Sequence, residues 1–214
     1  MAKVKRISRL VTFGCSLTYG HGLADCYQDN GREGLKPSIQ AWPALIATKL
    51  KIPVDNRGQA GASNKEIWHS VMSSKFKEGD MVVILWTYVN RNCLLFPDYV
   101  DRFGPWRGSV RSKKWLEHQF NDYDASVELM GRVDHVKLYL DSKKIRNHHY
   151  FADWYITPQR VFTRYNHPND KMFIKAALDF GRDGQHPGAK TQQAFADQII
   201  ADPTGPAVGF GFIN

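Results

Sequence analysis

The stretch Val11 to Gly20, VTFGCSLTYG, decides how this chain is read. Val11, Thr12 and Phe13 predict a strand that stops at Gly14, so that Cys15 and Ser16 are delivered into a turn. A hydroxyl placed there stands at the carboxyl end of a strand, where α/β sheets bind their ligands. Serine alone is a weak nucleophile, and a histidine base oriented by a carboxylate is the usual remedy. The stretch Asp183 to Pro187, DGQHP, supplies both. Its three-residue spacing lets Asp183 hold one nitrogen of His186 and leave the other facing Ser16. Taken singly, Ser16 is a turn former, Asp183 a turn cap and His186 a residue before a proline. Taken together and in this order they predict a nucleophile, its base and the base's orienter. The motif is not the GxSxG nucleophile elbow, because Thr18 stands where the second glycine belongs.

Outward from that stretch, strands and helices alternate. Ser38 is a candidate cap for a helix whose apolar stripe includes Trp42, Leu45, Ile46 and Leu50, and Pro53 ends it. Ile52–Asn56 reads as a second strand, and Ser63 or Asn64 as the cap of a helix running to Phe76. Met81–Tyr88, MVVILWTY, is continuously apolar, as in a strand covered on both faces. Residues 91–112 lapse into a loop with two prolines and several aromatics. From Leu116 to Leu140 apolar residues recur at three- and four-residue steps, predicting one long helix bent at Gly131. Tyr150–Ile156 reads as a fourth strand, 158–168 as a loop and 170–179 as a short helix. Pro187 suits the first turn of a last helix that turns Ala194, Phe195, Ile199 and Ile200 inward. This alternation predicts a parallel sheet of about four or five strands between helical layers, an α/β protein. Residues 1–202 are expected to form one domain with an insertion or lid at about 91–112, and 203–214 an irregular tail.

Composition narrows the function classes. At 214 residues with 43% hydrophobic content, the chain is long enough for one sizeable core. Cys15, Cys26 and Cys93 suggest neither a disulfide framework nor a CxxC metal site. The basic start (Lys3, Lys5, Arg6, Arg9) is followed by too short an apolar run for a cleaved signal, and no stretch is long and apolar enough to span a bilayer. A cytoplasmic protein is the expectation. The net charge of +8 is dispersed rather than organised into a basic-aromatic module, so nucleic acid is the weaker expectation for a partner.

The remaining chemistry is placed around Ser16. Acyl transfer needs oxyanion donors; the backbone NH of Ser16 is one candidate and that of Gly61, in NRGQAGAS, another. Alternation at the strand end points Cys15 away from Ser16. The arginines and aromatics of the 91–112 loop, with Tyr88 just before it, suit substrate contacts, and Tyr88, Arg91 and Trp106 are the candidates. His148, His149, Asp153 and His167 lack a metal-binding spacing and are read as surface or loop residues, so neither a metal nor another cofactor is expected.

A serine near the amino terminus, with an Asp-x-x-His near the carboxyl terminus, resembles the SGNH (GDSL-like) hydrolase family. NRGQAGAS resembles that family's second block, which implies Gly61 as an oxyanion donor. The first block reads GCS rather than GDS. The third, usually Gly-x-Asn-Asp, is degenerate: Trp86 and Tyr88 occupy the glycine and asparagine positions, and Asn90, two residues on, is the displaced candidate donor. The resemblance implies a three-layer α/β/α, flavodoxin-like domain and a metal-independent serine esterase or acyl hydrolase acting on a small-molecule or carbohydrate ester, for example by deacetylating a carbohydrate. A ligand-binding module that has lost turnover and a basic nucleic-acid-associated protein are the competing readings.

Overall fold

The computed structural model describes residues 7–28, 30, 32–152, 173 and 177–202. Its elements are β1 (Arg9–Phe13), α1 (Ser16–Tyr19), α2 (Trp42–Leu50), β2 (Val54–Asn56), α3 (Asn64–Met72), β3 (Asp80–Trp86), β4 (Asn92–Leu95), β5 (Val100–Phe103), α4 (Val110–His118), α5 (Asp122–Ser142), β6 (Arg146–Phe151) and α6 (Ala189–Ala201). The main sheet has four parallel strands in the order β2-β1-β3-β6. Every residue of β3 is buried, which accounts for its unbroken apolar run. One layer of helices contains α2 and α6; the other contains α3 and α5. Trp42 of α2 meets Phe195 of α6 edge-on at 5.6 Å, while Leu129, Met130, Val133, Val136 and Leu140 of α5 join the core. Each large side chain so buried contributes about 1.5–3 kcal/mol. The result is the α/β/α sandwich expected from the alternation.

The sheet order sets the position of the site. From β1 the chain crosses to β2 on one side, and β3 lies on the other. The connections therefore diverge between β1 and β3, opening a crevice at the carboxyl ends of these strands. Ser16 follows β1 at that crevice.

Several local expectations are corrected. The 91–112 stretch is not an irregular loop, because β4 and β5 pair antiparallel within it, from Asn92↔Phe103 to Leu95↔Val100, and α4 starts at Val110. The long helix is two, broken at 119–121 rather than bent at Gly131. Asn121 accepts bonds from the NH groups of Tyr123 and Asp124 and so caps a fresh start. Ser38 does not cap α2. Its hydroxyl donates to Asp25 at 2.5 Å, and α2 begins after Ala41 with proline in its first turn. Pro187 lies before α6, whose NH groups at Lys190 and Thr191 are taken by Asp179 instead. His148 and His149 are buried strand residues, and Trp86 Nε1 donates to His149 Nδ1 at 3.0 Å. Asp153, His167, the 158–168 loop and most of the 170–179 helix lie outside the described residues, as does the tail. Among the described residues no helix is long and apolar enough to cross a membrane.

Candidate active site

Gly14 lets the chain turn sharply from β1 into α1. A Cβ there would fall 2.0 Å from Thr18 Oγ1 and 3.0 Å from the Leu85 carbonyl, so α1 can fold back over the end of β3 only with glycine at this position. The carbonyl of Cys15 accepts the NH groups of Thr18 and Tyr19, and that of Ser16 accepts those of Gly20 and His21. Asn56, from the end of β2, donates to the Thr18 carbonyl at 2.7 Å. Ser16 is thereby held at the amino end of α1, only 4% exposed, while Cys15 is sealed in the core as alternation requires.

Asp183 and His186 arrive from the loop before α6. The Asp183 carboxylate accepts the NH groups of Gln185 and His186 through Oδ1, each at 3.0 Å, and meets His186 Nδ1 through Oδ2 at 2.5 Å. Burial disfavours the charged carboxylate, but the two NH groups and the imidazole outweigh it and hold Asp183 at about 2, down from 3.8. Burial lowers His186 below its ordinary 6.5, against the pull of Asp183, and the charges of His21 and Arg91 lower it further. With Nδ1 engaged by Asp183, Nε2 keeps its lone pair for a proton from substrate or serine.

This loop is seated on the Ser16 turn through Gly22. Arg182 NH donates to the Gly22 carbonyl at 2.7 Å. Gly22 has φ +88°, and a Cβ on it would lie 2.9 Å from Asp183 Oδ1 and 3.0 Å from His186 Cβ. The His21 ring stacks on His186, with centroids 4.6 Å apart and planes 9° from parallel.

Ser16 and His186 line one cavity of about 710 Å³. Gly61, Tyr88, Arg91 and Trp106 line it as well, so all three candidate substrate contacts and one candidate oxyanion donor converge there. Gly61 has φ +75°, a conformation suited to glycine. Ser16 and His186 share no hydrogen bond among the described residues. Two expected site residues do not line the cavity: Asp183, which stands behind His186 and holds its Nδ1, and Asn90, which is half-buried in the turn after β3. Asn64 clamps the end of β3 just before this turn, accepting from Thr87 NH at 2.8 Å and donating to the Thr87 carbonyl at 2.9 Å. Tyr88 faces the cavity where Asn90 was expected.

Sequence reasoning missed His21, Glu33 and Arg102, which also line the cavity. His21 carried a faint signal, a histidine between two turn glycines five residues after Ser16. Arg102 carried none, because its partners Glu66 and Gln59 are 36 and 43 residues away. His21, Asp183 and His186 present ligand atoms within 4.8 Å of one another. They do not make a good metal site, since imidazole lone pairs lie in the ring planes and two nearly parallel stacked rings do not aim them at a common point. Asp183 already holds three hydrogen bonds.

No protein-family model and no curated protein sequence matches the chain. Solved structures do. The chain superposes on a lipolytic protein of the G-D-S-L family from Desulfitobacterium hafniense DCB-2 with TM-score 0.52 and 11% identity, over 89% of this chain and 97% of that one. An acetyl xylan esterase from the rumen bacterium Butyrivibrio proteoclasticus gives 0.60 and 14%, over 97% and 66%. A carbohydrate esterase family 2 enzyme from Corynascus (Myceliophthora fergusii) gives 0.55 and 15%, over 99% and 69%. The chain thus spans about two thirds of the length of these two esterases. At such identities the likeness speaks for architecture alone, and it agrees with the strand order and crevice described above: the chain has an SGNH-hydrolase-like fold.

Proposed function

We propose that the chain is a serine esterase that cleaves carboxylic esters through an acyl-serine intermediate, with Ser16 as nucleophile, His186 as general base and Asp183 as its orienter. The observation that carries this is the 2.5 Å contact between His186 Nδ1 and Asp183, in a loop seated on the Ser16 turn, with Ser16 and His186 lining one cavity.

In this mechanism Ser16 Oγ attacks the ester carbonyl as its proton passes to His186 Nε2. Asp183 stays ionised, fixes the tautomer and balances the charge that forms on the imidazole. The backbone NH groups of Ser16 and Gly61 receive the developing oxyanion. His186 returns the proton to the departing alcohol, the carbonyl reforms and the ester oxygen leaves. Water then gives a proton to the same imidazole as it attacks the acyl-serine, the bond to Ser16 Oγ breaks, His186 returns that proton to Ser16 Oγ, and the acid is released. An acetylated carbohydrate is the substrate class that the aromatic wall of Tyr88 and Trp106 supports, since sugar faces pack on rings. The acetyl xylan esterase of similar fold points the same way.

Labelling with a fluorophosphonate, followed by mapping of the modified residue, tests the proposal. Modification of Ser16 is expected, and its loss in His186→Ala. Asn90 lying outside the cavity favours one second reading, a binding module without turnover. Under it Ser16 stays unlabelled while carbohydrate affinity is retained.

A further inference from the structure

One wall of the cavity is built around an arginine. The guanidinium carbon of Arg91 lies 4.9 Å from the ring centroid of Tyr88 and 4.8 Å from that of Trp106. Trp106 is itself lodged. A Cβ on Gly104 would sit 2.0 Å from its Cζ3, so the indole occupies room that only glycine leaves, and its Nε1 lies 3.7 Å from where a Cβ on Gly61 would be. Arg91 and Gly61 thus both lie near this one indole, and the charge of Arg91 helps lower His186.

The other cations of the cavity are engaged. Arg102 is held by both oxygens of Glu66, at 2.6 and 2.8 Å, and by Gln59 at 2.7 Å. Arg107 is half exposed and 3.9 Å from Asp101. Glu33 is the one carboxylate among the described lining residues, and its near neighbour is His21, at 4.0 Å. Arg91 has no carboxylate within ion-pair distance among the described residues. Ring contacts occupy the flat faces of a guanidinium and leave its in-plane NH groups able to fork onto a carboxylate or phosphate. Two rings also hold the side chain in place, so little rotamer entropy remains to be lost on binding.

We infer that the substrate is an ester carrying an anionic group, a carboxylate or a phosphate, which Arg91 binds while Tyr88 and Trp106 hold the guanidinium in position. This rests on the esterase reading for the word substrate; the anion site itself stands on the geometry of the wall.

Binding of glucuronate, glucose 6-phosphate and glucose to the intact chain, followed by calorimetry, tests it. At least one charged sugar is expected to bind about 10- to 100-fold more tightly than glucose, the range for a charge-assisted fork, and to lose that advantage as salt is raised. Whichever anion wins names the source, acidic sugar or phosphorylated one. Arg91→Met is expected to abolish the preference with an unchanged melting temperature, and Arg91→Lys to keep part of it. Equal binding of all three sugars, no binding of either anion, or a preference that survives in Arg91→Met overturns the inference. The paired acetate esters of glucose and of whichever charged sugar binds more tightly separate it from the esterase reading. Hydrolysis of both at equal kcat/KM sinks the inference and leaves the esterase. Hydrolysis of neither, with the Arg91-dependent preference intact, sinks the esterase and leaves the anion site.

Discussion

Ser16 is almost fully enclosed, yet it lines a cavity that is also lined by the candidate base, His186, whose Nδ1 is held by Asp183. Ser16→Ala is expected to lower ester turnover by about four to six orders of magnitude, as loss of such a nucleophile does elsewhere, while the melting temperature holds. Steady-state rates beside a thermal melt check this; near-normal turnover would remove Ser16 from the mechanism. In the proposed mechanism His186 sets the pH profile. His186 must be neutral to accept a proton, and burial, helped by His21 and Arg91, lowers its pKa below 6.5. The acid limb of kcat/KM is therefore expected below 6.5, and it should move up in Arg91→Met, where one of the opposing charges is gone. A limb at or above 6.5 in the wild type contradicts this assignment.

Among the elements, two contacts between segments remote in sequence hold the candidate site together. The first is the seating of the 181–187 loop on Gly22. Gly22→Ala places a side chain against Asp183 and His186 in a conformation with φ +88°, so it is expected to cost about 1–2 kcal/mol and to reduce kcat/KM about 100-fold by displacing the imidazole. Fluorophosphonate labelling of Ser16 should slow in parallel, and unaltered rates would show that the loop is not positioned by this contact. The second is the tie between the β4–β5 hairpin and α3, where Arg102 forks onto Glu66. Glu66→Gln is expected to speed amide hydrogen exchange in 92–103 while protection in β1 and β3 is unchanged, because the hairpin is outside the main sheet. Equal loosening of the sheet would mean that the tie supports the whole core.

At the scale of the molecule, the Asp183 network links the site to acid stability. The carboxylate has a lower pKa folded than unfolded, so its stabilisation is complete above about 3.8 and is lost as pH falls toward about 2. The melting-temperature gap between the wild type and Asp183→Asn should accordingly narrow over that window; a constant gap would place the stabilisation elsewhere. The same scale separates what could be read in the chain from what could not. The alternating sandwich was legible because burial on both faces writes unbroken apolar runs such as Met81–Trp86, and helical stripes repeat at a fixed period. Ser16, Asp183 and His186 were legible because a strand ending in Gly14 and a carboxylate three residues before a histidine are local patterns. The break at Asn121 was obscured because apolar residues keep their helical spacing across it, whereas capping depends on one side chain's hydrogen bonds. The hairpin between Asn92 and Phe103 was hidden because its strands are only four residues each and β5 carries Asp101 and Arg102. Asn90 was misplaced because the clamp of Asn64 on Thr87 joins residues 23 positions apart. The sequence alone thus determined the fold class, its layers and the candidate nucleophile, base and orienter, which rest on local patterns, but not the strand order or the span of the last strand, read as Tyr150–Ile156 and found at Arg146–Phe151. The tertiary structure alone decided that His21 stacks on His186, that Arg102 is spent on Glu66, and that Arg91 stands between two rings at the cavity wall, because such pairings arise from chain crossings that no local period records.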